Sequence, residues 1–362
     1  MSYNLSQMQA FADRRIRRTL ISTAFKRSPL LAFIPALGGE TFNLGHEKSL
    51  GGLISGQKIP KLTKEMLDGS RVTHVPLVTA LSGGGRTMTA RGTNPAVEQS
   101  QDQNLGSAVF YWWFYAQPIK VWLRTLKLAG RGKYAIQNAL TTSVDLARDE
   151  MAAVLAEKFW SGAPSSYSPD ASEDAYDDLP GVLEAMHSSN SYGNIDRSDT
   201  TKYIGGRHPW ASTRVTAARG ASLDLINEAN QTCMVYGPGV NLALTTVDIY
   251  MAMKAEAEAK GAIVVTDGKI PNHGMVGYEK EFIQYGKTII TFDPYCPSGY
   301  FACFTTQDWN IEVHSEDNGS TSNWNQNLGA GKDAAIEAQI DLAIRPYCLR
   351  PVNQHLHTNV SA

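Results

Sequence analysis

His355 and His357 stand two residues apart near the end of a 362-residue chain. In an extended strand that spacing puts both rings on one side, where a pair of metal ligands would sit. No third ligand stands beside them, so a surface or interface role is expected and a metal site is not. His314 with Glu316 and Asp317 suggests acid–base work or a cation site. Asn318-Gly319-Ser320-Thr321-Ser322 follows, however, and has the composition of an exposed loop. Gly83-Gly84-Gly85-Arg86 suggests a phosphate cradle, but a P-loop places Gly, Lys and Ser or Thr between a strand and a helix. Here Thr87-Met88-Thr89 follows in a β context, so a flexible loop tip is expected. Ser143 and Ser166 lie in no strand-turn-helix elbow that would expose a nucleophile. Cys233, Cys296, Cys303 and Cys348 form no CxxC pair, and zinc needs closer grouping. Cys296 and Cys303 could meet across a hairpin, but scattered thiols in an intracellular chain are usually small buried apolar residues. No catalytic residue, cofactor or metal is expected.

The elements that would carry these residues can be read along the chain. Residues 5–26 are helix-forming, with Leu5, Met8, Phe11, Ile16, Leu20 and Phe25 loosely periodic. Arg14, Arg15, Arg17, Arg18, Lys26 and Arg27 make the segment basic, as in a membrane-surface helix or an arm lying on a neighbouring subunit. Pro29 and Pro35 interrupt it. Residues 36–106 are rich in Gly, Thr, Ser and Pro. They contain one strand pattern at Val72 to Leu81 and a second at Arg86 to Arg91. Ala108 to Trp122 is aromatic and β-branched, hence sheet-forming, with Pro118 marking an edge. A two-stranded excursion buries little of itself. Segments 1 to 122 are therefore expected to be completed by other copies. Ile136, Leu140, Val144, Ala147, Met151, Val154 or Leu155, and Phe159 recur at steps of three or four. That stripe predicts a helix from Lys133 to Trp160, roughly 40 Å long, stopped by Gly162 and Pro164.

Beyond the acidic loop at 162–179, Leu183 to Met186 opens a short helix and Arg219 to Asn230 forms another. Thr245 caps a third, with Asp248 in its first turn and its end near Gly261. Strands are predicted at Ile263 to Val265, Lys287 to Phe292, Tyr300 to Phe304, Trp309 to His314 and Gln339 to Arg345, the last joining the sheet of the others.

Hydrophobic residues make up 43% of the chain, which excludes a disordered protein. No apolar run is long enough to span a bilayer, and no signal-peptide core opens the chain, so a cytoplasmic place of synthesis is expected. The net charge of −2 hides an asymmetry. Residues 1–133 hold 18 Lys and Arg against 7 Asp and Glu, a net +11, and residues 134–362 hold 15 against 28, a net −13. Unlike halves suit head-to-tail association of copies better than one basic nucleic-acid face.

Residues 181–198 read Gly-Val-Leu-Glu-Ala-Met-His-Ser-Ser-Asn-Ser-Tyr-Gly-Asn-Ile-Asp-Arg-Ser. This resembles the HK97-like major capsid proteins of tailed double-stranded DNA bacteriophages. Many of these carry a "GL..A" leader and a "YGGIDRS"-like segment after the spine helix, and often an aromatic where Trp210 stands. Asn194 replaces a common second glycine, and Trp112-Trp113 is richer than the family pattern.

The resemblance implies an α+β, HK97-like capsid fold with an N-terminal arm at 1–45 and an extended loop and return strands at 46–132. It further implies a peripheral domain with the spine helix at 133–199, an apical domain at 200–274, and a returning peripheral sheet and tail at 275–362. The implied function is self-assembly into an icosahedral head shell enclosing phage DNA, in the virion, after assembly in the host cytoplasm. An encapsulin-like compartment shell is the alternative. Implied partners are copies of the chain as hexamers and pentamers, portal, scaffolding or decoration proteins, and packaged double-stranded DNA bound without sequence specificity; no membrane is implied. Candidate inter-subunit contacts are Arg14, Arg17, Arg86, Arg91, Trp112, Trp113, Asp196 and Arg197. Some members join an extended-loop lysine to a neighbour's asparagine; by location Lys58, Lys61 and Lys64 with Asn353 and Asn359 correspond.

Overall fold

The aromatic run of the sequence becomes one 18-residue strand, β2 (Leu105–Trp122), because it finds a partner along each part of its length. In the computed structural model of the chain the described residues are 72–78, 105–122, 133–166, 175–199, 208–260, 264–265, 282–322, 325–327 and 335–362. The first half of β2 pairs antiparallel with β1 (Val72–Val78), Val72 lying opposite Tyr111. Its second half pairs antiparallel with β13 (Ala335–Cys348), from Trp113 opposite Ile344 to Trp122 opposite Ala335. β3 (Ala175–Tyr176) runs parallel beside Trp112 and Trp113. β11 (Trp309–Thr321) and β12 (Asn325–Asn327) also pair with β13 and complete a six-stranded sheet. Pro118 lies where, among the described residues, β2 has a strand partner on the β13 side alone, as a residue without an N–H requires.

The spine helix α1 (Lys133–Ser161) packs on this sheet. Val144, Ala147, Met151, Ala156 and Phe159 recur at steps of three to five and are buried with Phe110, Trp113, Ile119 and Val121 of β2 and Ile340 and Ile344 of β13. The expectation that this part of the chain needs another copy to cover it is corrected for β1 and β2: both find their partners in this chain's own sheet. Residues 1–71 and 79–104, with the strand predicted at Arg86 to Arg91, lie outside the described residues.

A seven-stranded sheet forms the second layer. Its order is β4 (Thr213–Val215), β14 (His355–His357), β10 (Phe301–Phe304), β6 (Leu242–Thr245), β9 (Thr288–Phe292), β8 (Phe282–Tyr285) and β7 (Val264–Val265). In chain order the four-residue helix α2 (Val182–Ala185) comes between α1 and the first strand of this sheet. Helices α3 (Asp224–Met234) and α4 (Val247–Ala259) bury Ile226, Ala229, Cys233, Ile249, Tyr250 and Met253 in a second core with Ala243, Ile290, Phe301 and Cys303.

Three local expectations change. The strands predicted after residue 286 do not share one sheet. β9 and β10 are both neighbours of β6, which lies between them, so they make no hairpin, while β11 joins the other sheet. Arg219–Gly220 is not helical. It forms β5 and pairs in parallel with the terminal β15 (Val360–Ser361), a partner no local pattern can reveal. Thr245 does not cap α4: it ends β6 with its hydroxyl donating to the Tyr300 carbonyl at 2.8 Å, and Thr246 takes the cap position.

Candidate structural hub and assembly surface

Gly193 and Asn194 both adopt left-handed backbone, φ 59° and 64°. Two such residues in succession make the tight turn that lets flanking strands pair. Tyr192 and Ile195 exchange backbone hydrogen bonds across it, at 3.0 and 3.2 Å. The turn is driven against β2, where the Val109 amide donates to the Gly193 carbonyl at 2.9 Å. A Cβ on Gly193 would meet the Phe110 ring at 2.8 Å and the Ala108 methyl at 2.9 Å, so this position needs glycine twice over.

Tyr192 is fully buried and linked on every side. Its hydroxyl accepts from the Cys348 amide of β13 at 3.0 Å, and its carbonyl accepts from the Trp210 indole at 2.9 Å. Its ring meets Phe110 edge-on at 5.1 Å. Burial pushes its phenol well above the ordinary range, so it stays neutral. Arg197, also fully buried, lies 5.3 Å from the same ring. Its fork donates to the carbonyls of Asn190 at 2.5 Å, Ala185 at 2.8 Å and Glu184 at 2.6 Å. Those last two carbonyls belong to the end of α2, where a helix leaves acceptors without internal partners. Asp196, by contrast, is exposed and accepts from the Ser198 amide and hydroxyl.

A second buried network joins the strands of the six-stranded sheet. Glu312 of β11 is ion-paired with Arg345 of β13, the Arg345 Nε donating at 2.7 Å. Glu312 also accepts from the Tyr347 hydroxyl at 2.8 Å and the Thr73 hydroxyl at 2.9 Å. The Arg345 guanidinium stacks 4.2 Å from the Trp112 ring, and His314 packs edge-on to that ring at 5.4 Å. Nothing in the sequence pattern singled out this pair. The available signal was a charged residue inside an apolar strand run on each side, Ile-Glu-Val and Ala-Ile-Arg.

Of the candidate contact residues, Trp112, Trp113 and Arg197 are buried within their own chain. The first lies under Arg345, the second stacks on Tyr115 at 5.4 Å, and the third closes α2. Asp196 is exposed, and Arg14, Arg17, Arg86 and Arg91 lie outside the described residues.

The histidines expected at a surface are likewise interior. His355 and His357 are buried in β14, rings 4.4 Å apart; β4 and β10 flank that strand in the sheet and α3 packs against it, the Leu225 carbonyl lying 3.2 Å from His357 Nε2. Asn353 is buried with its amide donating to Asp308 at 2.7 Å, while Asn359 is exposed. Lys58, Lys61, Lys64 and Gly83 to Arg86 lie outside the described residues. All four cysteines are buried free thiols, and burial raises the thiols of Cys296, Cys303 and Cys348. Among the described residues no group of three or more His, Cys, Asp or Glu is placed to hold a metal ion, and no helix is long and apolar enough to cross a membrane.

No protein-family model and no curated protein matches the sequence. Solved structures do match. A chain of the cyanophage A-1(L) capsid asymmetric unit superposes with a TM-score of 0.56 at 8% identity, covering 82% of this chain and 90% of that one. The holo-SrpI encapsulin complex from Synechococcus elongatus PCC 7942 gives 0.49 at 12% identity, covering 85% and 92%. The capsid of the native GTA particle gives 0.49 at 11% identity, covering 82% and 89%. The first of these shows the fold alone: an α+β, HK97-like fold shared with a phage capsid chain, in line with the resemblance at Tyr192–Ser198.

Proposed function

We propose that the chain is a major capsid protein that self-assembles into the icosahedral head shell of a tailed double-stranded DNA phage. The observation that carries this reading is the shared fold with a phage capsid chain over 82% of this chain and 90% of the other. The buried hubs support it, because they make each subunit a stiff unit and do not converge polar groups on a reacting centre. In this reading the work is multivalent packing: many modest contacts per copy sum to a stable shell of hexamers and pentamers. The protein is then no enzyme, and DNA is enclosed by it and not read. Portal, scaffolding and decoration proteins are the further partners it would meet.

The assignment of domains follows the same reading. Residues 1–45 would be the arm and 46–132 the extended loop with its return strands. Residues 133–199, with α1, would be the peripheral domain, 200–274, with α3 and α4, the apical domain, and 275–362 the returning peripheral sheet and tail.

Negative-stain microscopy of the purified protein tests the proposal. Uniform closed shells tens of nanometres across are the expected result; a protein that stays monomeric at high concentration overturns it. Particles recovered from their source distinguish the compartment alternative, since a phage head holds nuclease-protected double-stranded DNA and a cargo shell holds enzyme.

A further inference from the structure

The buried histidines of β14 face the second core. The sheet register sets Cys303 of β10 beside His355 and Phe301 beside His357, with Thr213 and Val215 of β4 on the other flank. Phe301 and Cys303 pack there with Leu225, Ile226, Ala229 and Cys233 of α3. His357 Nε2 meets the Leu225 carbonyl in the first turn of α3. A carbonyl only accepts, so this nitrogen carries the proton of the neutral ring and Nδ1 carries the lone pair. Among the described residues Nδ1 is buried with no hydrogen-bond partner. Further along the chain β15 pairs with β5 and buries Val360 in the same core, so residues 355–361 hold to it at both ends.

An acid proton therefore enters His357 at Nδ1. It puts an imidazolium into an apolar core, 4.4 Å from a second imidazole. Little there offsets the charge. Burial disfavours it most; the Leu225 carbonyl and Glu228 of α3 favour it, and Arg219 of β5 disfavours it. Glu228 is itself ion-paired with Arg219. The remaining titratable neighbours are His355 on the same strand and the buried thiols of Cys303 and Cys233, while β4 presents only Thr213 and Val215 on this face. A ring released to water titrates near 6.5, and the enclosed His357 lies lower. The released state thus binds more protons, so closure is full above that value and is lost as pH falls below it.

We infer that the His355–His357 pair is an acid-operated catch: protonation frees α3 and residues 355–361 from the second core and leaves α1 closed on the six-stranded sheet. The difference between the two layers follows from where the histidines are, since neither α1 nor β13 contains one. The catch works within a single chain and needs no second copy, so it stands or falls apart from the capsid reading.

Amide hydrogen exchange of the full chain, read by mass spectrometry at about pH 7.5 and about pH 5 and corrected for the chemical rate, tests it. Moving one neutral buried ring to water favours the open state by up to about 30-fold at pH 5. Peptides covering 224–234 and 355–361 should therefore exchange about tenfold faster or more at the lower pH, with those covering 143–160 and 335–347 changing by less than about threefold. An equal change in both sets, or none at 224–234, overturns the inference. His355→Gln with His357→Gln should bring the ratio between the two pH values at 224–234 down to that of 143–160, whatever the protection at neutral pH. His74→Gln, at an exposed ring, should keep the wild-type ratio. A double variant with the wild-type ratio overturns the inference. Should the double variant fail to fold, exchange of the ring C2 hydrogens in wild-type protein decides. His357 titrating about one pH unit or more below 6.5 is expected, and an ordinary value overturns the catch.

Discussion

The amide of Gly181 donates to the carbonyl of Gly162 at 2.9 Å, joining the end of the spine helix to the start of α2. A Cβ on Gly162 would overlap the Leu179 carbonyl and come within 2.6 Å of the Lys158 carbonyl, and one on Gly181 would come within 2.7 Å of the Gly162 carbonyl. Backbone meets backbone here, so no side-chain rotation can make room. Gly162→Ala and Gly181→Ala are each expected to cost about 1–3 kcal/mol through overpacking. Gly220→Ala, with nothing within 4 Å of the added methyl, should stay within about 0.5 kcal/mol of the parent. Urea unfolding at one fixed protein concentration measures all three; equal effects would contradict the close-approach account.

Arg197 gives the second prediction. Arg197→Lys keeps a positive charge but loses the planar fork that serves three carbonyls at once. Its unfolding free energy should fall by about 2–3 kcal/mol. The adjacent Asp196→Ala removes an exposed hydrogen-bonding turn and should cost about 1 kcal/mol or less. If the two variants melt alike, Arg197 is not the closure of α2 that its hydrogen bonds describe.

How far the sequence foretold these features differs from residue to residue. Val144, Ala147, Met151 and Phe159 announce the spine helix, because a helix that buries one face writes its period into the chain. Tyr192 to Ser198 announces the turn, since Gly193 and Asn194 are the residues that tolerate left-handed backbone. Arg197 reads as a surface charge because side-chain direction is not encoded locally; its burial depends on where the carbonyls of α2 end. His355 and His357 read as a surface pair for the same reason, since segments distant in sequence, α3 among them, pack against β14. The separation of β9 from β10 by β6 is a long-range pairing choice, and the short connection at residues 293–300 gives no sign of it.

Two histidines make stability depend on pH in a stated direction. Burial, with Arg214 and Arg197 nearby, lowers His187 from the ordinary 6.5 to about 4, and burial lowers His357 as well. His187 Nδ1 accepts from the Ser189 and Asn190 amides, which suits the neutral ring. The unfolded chain therefore binds more protons than the folded one between about pH 4 and 6.5, so stability is full above that window and falls as pH drops through it. The Asp308 carboxyl, raised by burial, acts with the opposite sign: what it contributes is lost as pH rises through the carboxylate range. The unfolding midpoint should fall between pH 7 and 5, and His187→Gln with His357→Gln should flatten that fall. A double variant as acid-sensitive as the parent would show that other groups govern the transition.

The Glu312–Arg345 pair allows a sharper test, because its members are 2% and 0% exposed and neither charge can retreat to water. Arg345→Met leaves the Glu312 carboxylate interior with, among the described residues, the Tyr347 and Thr73 hydroxyls as side-chain donors. Breaking such a pair from one side costs about 3–5 kcal/mol, whereas replacing both members by apolar residues of similar size is often near neutral. Arg345→Met and Glu312→Leu should therefore each destabilise strongly, and the double variant should be more stable than either. Trp112 sharpens the expectation: with the guanidinium gone from its face, methionine still covers the ring, so the packing term survives in both Arg345→Met proteins and the difference between them reports the stranded charge. A thermodynamic cycle from urea midpoints reads this directly, and strictly additive losses would mean that the two charges are held by their other contacts and not by each other.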